Sequence, residues 1–242
     1  MALTVHIKYD GEIDEMIGRF PCFSFIRESR IPKDDFHQWT VTNDNWGYVD
    51  KITYSTQIIF IGKTGYGKST TLNRLVGKDV FETDDINVCT KDLYTAVFRI
   101  NRSVPSTLML SDLPGVGESG TADNLYHKWY KSMINKSDVV VYILRADQRD
   151  YTVDEKIFSK FLCGSADKKK VFIAINYADK IEPISRKIGL SAEQCGNLLR
   201  KVREVSQIFH ISQSDVIYYS AADNINMDIL TRKISQKLYM NL

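Results

Sequence analysis

Between Ile58 and Leu75 the chain reads IIFIGKTGYGKSTTLNRL, and this stretch constrains the fold more tightly than any other. Gln57–Ile61 is a mostly apolar, β-branched run that stops at Gly62. After Ser69, the residues Leu72, Leu75 and Val76 recur at helical spacing, so the order is strand, glycine-rich turn, helix. Gly62, four residues, Gly67, Lys68 and Ser69 satisfy G-x-x-x-x-G-K-[ST] with strand and helix in the places that motif requires. Backbone N–H groups can surround a polyphosphate only where no Cβ blocks approach and positive φ is tolerated, and Gly62, Gly65 and Gly67 permit both. The helix that starts near Lys68 aims its free N–H groups and positive dipole end at the same anion. Lys68 adds a mobile cation between the β- and γ-phosphates, and Ser69 offers a hydroxyl to Mg²⁺. The loop Gly62, Lys63, Thr64, Gly65, Tyr66, Gly67, Lys68, Ser69 and Thr70 is therefore a candidate nucleotide-binding segment.

From Gln57 onward strands and helices alternate, which predicts an α/β fold with a doubly wound, mostly parallel sheet. A strand near Leu93–Ile100 is followed by a short turn, Asn101–Pro105, and then by Thr107–Ser111, so these two pair as a hairpin and one strand runs antiparallel. A helix is expected at Asn124–Ile134 and a buried strand at Val139–Leu144. Thr152-Val153-Asp154-Glu155 reads as a capping box opening a helix with Val153, Ile157, Phe158, Phe161 and Leu162 inward. Val171–Ile175 is a strand, and Ser191 caps a helix with Leu198, Leu199, Val202, Val205 and Phe209 on one face. A strand at Val216–Tyr219 and an amphipathic helix at Ile225–Leu238 follow. Residues 56–242 are thus expected to form the main domain and residues 1–55 an N-terminal extension. In the extension, Leu3–Tyr9 alternates as a strand does and meets a turn signal at Asp10-Gly11. Beyond it Phe20, Phe23, Phe25, Phe36, Trp39, Trp46 and Tyr48 follow no clear period. Two readings stand: a segment packed on or flanking the main domain, which agrees with the usual burial of aromatics, or a partner-binding arm.

Composition excludes some classes. The 32 basic and 30 acidic residues leave a formal charge of +2, so there is no specific signal for nucleic acid or an anionic membrane. Lys168–Lys170 reads as a solvated loop. Cys22, Cys89, Cys163 and Cys195 form no C-x-x-C pair and are read as reduced thiols, not as a disulfide frame or zinc site. There is no signal-peptide pattern, and no apolar run approaches the roughly 20 residues of a transmembrane helix. A cytoplasmic location is the expectation.

Two further motifs sit at strand ends. In Asp112-Leu113-Pro114-Gly115 a carboxylate is placed to accept from Mg²⁺-bound water, and Gly115 offers an unobstructed N–H near the γ-phosphate. In Asn176-Tyr177-Ala178-Asp179 the Asp179 carboxylate can accept from both the ring N1–H and the exocyclic amine of guanine, a donor pair adenine lacks. Asn176 would brace that pocket, with Lys180 beside it. Ser220-Ala221, at the end of the last strand, would bring a backbone N–H to the guanine O6.

On Asp112–Ser119 (DLPGVGES), Val153-Asp154-Glu155 and Asn176–Pro183 (NYADKIEP), the chain resembles P-loop GTPases of the Era/septin-like branch (TrmE-Era-EngA-septin), most strongly the bacterial YfjP/YeeP-type GTPases. The likeness covers residues 57–240. It implies a G domain that binds GTP/GDP and Mg²⁺ and converts GTP to GDP and phosphate, with Lys68, Thr90 and Gly115 in the catalytic roles. It also implies Ser69, Thr90 and Asp112 around the metal, Thr90 being the candidate switch threonine with Thr83 and Thr95 as rivals. The chain departs from the pattern at two places. Tyr177 replaces the lysine of N-K-x-D, either to stack on the base or to turn outward. Val116 stands where Ras-type enzymes carry a water-orienting glutamine, so hydrolysis is expected to be slow alone. Dimerisation, a protein effector or another polar group would then accelerate it. Gly65 replaces the asparagine of potassium-activated members, which argues against potassium dependence. Arg145, Asp147 and Arg149 follow the fourth strand, where a trans-acting arginine across a dimer is one reading and a solvent-facing arginine the other. Two rival functions stand beside the switch. One is a P-loop ATPase or nucleotide kinase, although no arginine-rich lid is visible. The other is a nucleotide-gated scaffold with little hydrolysis.

Overall fold

Strands buried on both faces have no polar side to alternate with, and four runs in this chain have that character. The computed structural model describes residues 5–27, 37–43, 48–54, 56–83, 93–101, 106–115, 130–162, 164–184 and 189–241. Along the chain run β1 (Val5–Glu12), α1 (Ile13–Arg19), a 3-10 turn (Pro21–Arg27), β2 (His37–Asn43), β3 (Tyr48–Tyr54), β4 (Thr56–Ile61), α2 (Lys68–Val76), β5 (Leu93–Asn101), β6 (Ser106–Asp112), the helical residues 130–136 (α3), β7 (Val139–Arg145), α4 (Thr152–Phe161), α5 (Ser165–Lys170), β8 (Val171–Asn176), α6 (Ala192–Ile208), β9 (Val216–Tyr218) and α7 (Met227–Asn241). Among the described residues no helix is long and apolar enough to cross a membrane.

One sheet joins the strands in the order β3-β2-β1-β5-β6-β4-β7-β8-β9. Its middle, β6-β4-β7-β8, is parallel and buried at nearly every residue. Full burial of Ile58, Ile59, Phe60, Val141 and Ile173 contributes on the order of 1.5–3 kcal/mol per side chain. The expected hairpin is present: β5 runs antiparallel to β6, from Tyr94 opposite Asp112 to Asn101 opposite Ser106. The N-terminal segment widens the sheet. β1 pairs with β5 in parallel, β2 pairs with β1 in parallel, and β3 closes that edge antiparallel to β2.

The strand β1 does not end at Asp10-Gly11. Parallel pairing continues to Glu12 opposite Arg99, and Asp10 grips the Arg99 guanidinium at 2.6 and 2.9 Å. Gly11 leaves room for the Tyr9 ring, since a Cβ there would lie 2.4 Å from the Tyr9 hydroxyl. The Glu15 carboxylate accepts from that hydroxyl at 2.5 Å; burial and this bond push the Tyr9 pKa up to about 12. Val5, Ile7, Ile13, Met16, Phe23 and Ile26 belong to the same buried cluster as the central strands. Arg19 donates to the Leu75 carbonyl (3.2 Å), and Ser235 on α7 donates to the Cys22 carbonyl (2.7 Å). Residues 28–36 and 44–47, and with them Phe36 and Trp46, lie outside the described residues.

Helix registers agree with the sequence reading in part. Ser191 and Gln194 cap α6 reciprocally, and Leu198, Val205 and Phe209 are buried, but Leu199 is half exposed. At α4 the expected capping box is not formed. The Asp150 carboxylate accepts from Thr152 N (2.8 Å) and Thr152 Oγ1 (2.6 Å), so Thr152 is the first helical residue rather than the cap. That register turns Val153 outward and carries Asp154 into the interior. Lys168–Lys170 form the last turn of α5, where half-buried Lys170 donates to the Ile134 carbonyl. Cys22 and Cys195 are free thiols.

Candidate nucleotide-binding site

The glycine-rich turn leaves the C-terminal end of β4 and delivers the chain into α2. Gly67 is the N-cap residue of α2 with φ 81°, a left-handed conformation that glycine adopts without steric cost. The position is also crowded: a Cβ on Gly67 would sit 2.3 Å from Asn176 Nδ2. Lys68 is 6% exposed, and its ammonium donates to the carbonyls of Gly62 and Lys63, both at 3.0 Å. Thr64, Ser69 and Thr70 are half-buried, whereas Gly65 is exposed.

The metal side is assembled by the sheet. Pairing of β4 with β6 sets Phe60 opposite Asp112, and from there the buried Asp112 carboxylate accepts from Ser69 Oγ at 2.6 Å. A hydroxyl and a carboxylate in contact at a helix N-terminus are suitable oxygen donors for Mg²⁺ beside a polyphosphate. Gly115 follows, partly buried, with the preceding Pro114 carbonyl held by the Tyr130 hydroxyl. Thr90 and Val116 lie outside the described residues. Of the rival switch threonines, Thr83 is exposed beyond α2. Thr95 is fully buried in β5, donating to the Leu110 carbonyl (3.1 Å) and lying 3.2 Å from Ser111 Oγ, so its hydroxyl serves the sheet.

On the base side, Asn176 is 3% exposed and bridges two loops. Its Nδ2 donates to the Tyr66 carbonyl (3.0 Å), and its Oδ1 accepts from Ala221 N (3.1 Å). The Ala221 N–H expected to meet guanine O6 is therefore engaged by Asn176 here. Arg74 on α2 holds the carbonyls of Ala221 (2.8 Å) and Ala222 (2.9 Å), a brace the sequence reading missed. Ser220 bridges to Ile225, and its hydroxyl accepts from Asp223 N. Asp179 has a 9% exposed side chain whose Oδ2 pairs with Lys180 at 3.0 Å, raising the Lys180 pKa. Its Oδ1 is buried with no hydrogen-bond partner among the described residues. A buried acceptor left in that state costs on the order of 1–3 kcal/mol, which an N–H donor reaching it would offset.

Tyr177 lies against the phosphate loop. Its backbone is left-handed (φ 60°), and its hydroxyl donates to the Gly65 carbonyl at 3.2 Å. The Arg145 guanidinium lies 4.1 Å from the centre of the Tyr177 ring and donates to the same Gly65 carbonyl at 3.2 Å. Asp147 accepts two hydrogen bonds from Arg145 (2.9 and 2.8 Å), which hold the Asp147 carboxyl below the usual range and raise Arg145. Arg145 thus contacts the phosphate loop of its own chain. Beyond it a cleft of about 470 Å³ opens between Asp147, Arg149, Lys180, Glu182 and Lys201. Asp154, which belongs to the Val153-Asp154-Glu155 stretch but was not expected to face inward, reaches the phosphate loop from α4.

A phosphate loop between β4 and α2, a carboxylate at the end of the neighbouring strand, and Asn-x-x-Asp at the end of β8 define a P-loop nucleotide-binding protein of the G-domain class. Residues 57–177 match the family described as 50S ribosome-binding GTPase, and the chain belongs to that family of GTPases. It is 33% identical over 176 residues to YkfA of Escherichia coli (strain K12), covering 72% of this chain and 60% of that protein. To YfjP of the same organism it is 33% identical over 162 residues, covering 66% of this chain and 55% of that one. The chain thus spans less than two thirds of the length of either relative. A crystal structure of GTPase Era from Aquifex aeolicus, in a variant bound to GDP and AlF4⁻, superposes with a TM-score of 0.60 at 26% identity, covering 75% of this chain and 56% of that one. A structure of Toc33 from Arabidopsis thaliana shares the fold over 93% of this chain and 91% of its own, with a TM-score of 0.58 at 17% identity.

Proposed function

We propose that the protein is a Mg²⁺-dependent guanine-nucleotide switch that hydrolyses GTP slowly by itself. The observation that carries this reading is the buried Oδ1 of Asp179, without a hydrogen-bond partner among the described residues and set at the end of β8 beside the Asn176 bridge. In this reading the N–H groups of Gly62–Ser69 bind the phosphates, Lys68 balances their charge, and Ser69, Thr90 and Asp112 hold the metal. Bound Mg²⁺ would neutralise charge shared by the β- and γ-phosphate oxygens. Water attacks the γ-phosphorus, the bond to the β–γ bridging oxygen breaks, and GDP departs, with Lys68 stabilising charge on the oxygens. Gly115 and Thr90 sense the γ end, and loss of that phosphate releases both loops. Residues 56–242 act as the G domain and residues 1–55 as its extension, in a cytoplasmic protein.

Val116 cannot orient a water, so acceleration falls to a nucleotide-dependent homodimer or a protein effector. The same valine favours a second reading, a nucleotide-gated scaffold that hardly hydrolyses GTP; single-turnover hydrolysis by purified protein separates the two. The base assignment is tested with Asp179→Asn. The variant should prefer xanthine over guanine nucleotides in competition binding, and one that keeps its preference for GDP would remove Asp179 as the base reader.

A further inference from the structure

We infer that Asp154 is a positioning residue for nucleotide binding, holding the phosphate loop in its binding shape from the first turn of α4. The inference rests on the nucleotide-binding reading above. Asp154 is fully buried, and its Oδ2 receives the Lys63 ammonium (2.8 Å), the Tyr66 hydroxyl (3.1 Å) and Gln148 Nε2 (3.0 Å). The Tyr142 hydroxyl lies 3.4 Å from its Oδ1, and the Tyr66 hydroxyl also meets Gln148 Oε1 at 2.5 Å. A buried carboxylate is tolerated only when paired and hydrogen-bonded, and this one takes its cation and one hydroxyl from the variable positions of the phosphate loop.

The backbone of those two loop residues carries the consequence. The Lys63 carbonyl accepts from Lys68 Nζ, the cation that meets phosphate, and also from Tyr66 N at 3.3 Å. The Tyr66 carbonyl accepts from Asn176, the residue that bridges to the base side. Asp154 therefore grips both ends of the turn from Lys63 to Tyr66 by their side chains, while their carbonyls orient Lys68 and Asn176. Asp154 touches neither ligand; it fixes the peptide planes of the residues that do. The network extends to α6, where Lys201 donates to the Gln148 carbonyl at 2.7 Å.

The test is calorimetric titration of GDP with Mg²⁺, and of inorganic pyrophosphate with Mg²⁺, into wild type, Asp154→Asn, Lys63→Gln and the double variant, beside ligand-free melting curves. Misplacing a binding group from a distance weakens its function by about ten- to a hundredfold, so Asp154→Asn should lose that much affinity for both ligands. Because the two residues act as a pair, the double variant should bind no more weakly than Asp154→Asn alone. Lys63→Arg, which keeps the cation, should recover most of the affinity that Lys63→Gln loses. Should Asp154→Asn fail to fold, Tyr66→Phe carries the test, with a several-fold loss of affinity expected at unchanged secondary structure. A lower melting temperature with wild-type affinity would make Asp154 a purely structural residue and overturn the inference. A wild type that binds no guanine nucleotide would overturn the functional reading and this inference with it.

Discussion

Gly65 and Gly67 are a natural experiment inside one loop, because both have left-handed backbones, with φ of 77° and 81°, but different surroundings. A Cβ on Gly65 meets nothing within 4 Å, whereas a Cβ on Gly67 would lie 2.3 Å from Asn176 Nδ2. Gly65→Ala should therefore cost only the left-handed backbone penalty, about 1 kcal/mol. Gly67→Ala carries the same penalty and also displaces the Asn176 amide from Tyr66 O and Ala221 N. Leaving those two buried groups unsatisfied adds about 1–2 kcal/mol each, for a total of roughly 3–5 kcal/mol. At about 2–4 °C per kcal/mol for a chain of this size, the melting temperature should fall by roughly 6–20 °C for Gly67→Ala and by a few degrees for Gly65→Ala. Urea unfolding of the ligand-free protein, followed by circular dichroism, measures both costs. Equal losses in the two variants would refute the claim that Asn176 and Gly67 interlock.

Lys68→Ala should abolish triphosphate binding in calorimetry, because Lys68 is the lysine of the G-x-x-x-x-G-K-[ST] loop and its ammonium is aimed by two carbonyls; unchanged affinity would sink the phosphate-loop assignment. Asp215 anchors α7 by accepting from Lys233 (2.8 Å) and Lys237 (2.9 Å). Burial pushes its pKa up, but the two lysine bonds outweigh that and hold it below the ordinary 3.8. A depressed folded-state pKa gives stability that is present above 3.8 and lost as pH falls through the folded value. Asp215→Asn should thus cost about 1–2 kcal/mol at neutral pH, with variant and wild type converging in acid; a gap independent of pH would contradict the linkage.

The phosphate loop was legible because its chemistry fixes both residue type and spacing: a glycine where the backbone is left-handed at Gly67, then a lysine and a hydroxyl at the start of α2. Fully apolar strands such as Val171–Ile175 were legible for a similar reason, since only the middle of a covered sheet accepts them. What escaped were features decided by a single residue of register or by distant partners. At α4, Asp150 holds Thr152 inside the first turn, and Asp154 lies on the inner face in place of Val153 because its partners Lys63, Tyr66 and Gln148 come from elsewhere in the chain. At β1, Asp10-Gly11 has the composition of a turn, yet Arg99 on a strand far away in sequence holds it extended. Tyr177 departs from the usual lysine of its motif, and its contacts with Arg145 and Gly65 are ones that no local pattern links to it.

The central claim is that this loop and Asp179 together select guanine nucleotides. Thermal unfolding in the presence of GDP, a non-hydrolysable GTP analogue, ADP and a non-hydrolysable ATP analogue, each with Mg²⁺, tests it most directly. At a ligand concentration a hundredfold above Kd the guanine nucleotides should stabilise the protein by about 2.7 kcal/mol, and the adenine nucleotides should leave it unchanged. Equal stabilisation by adenine nucleotides, or none by any of the four, would contradict the account.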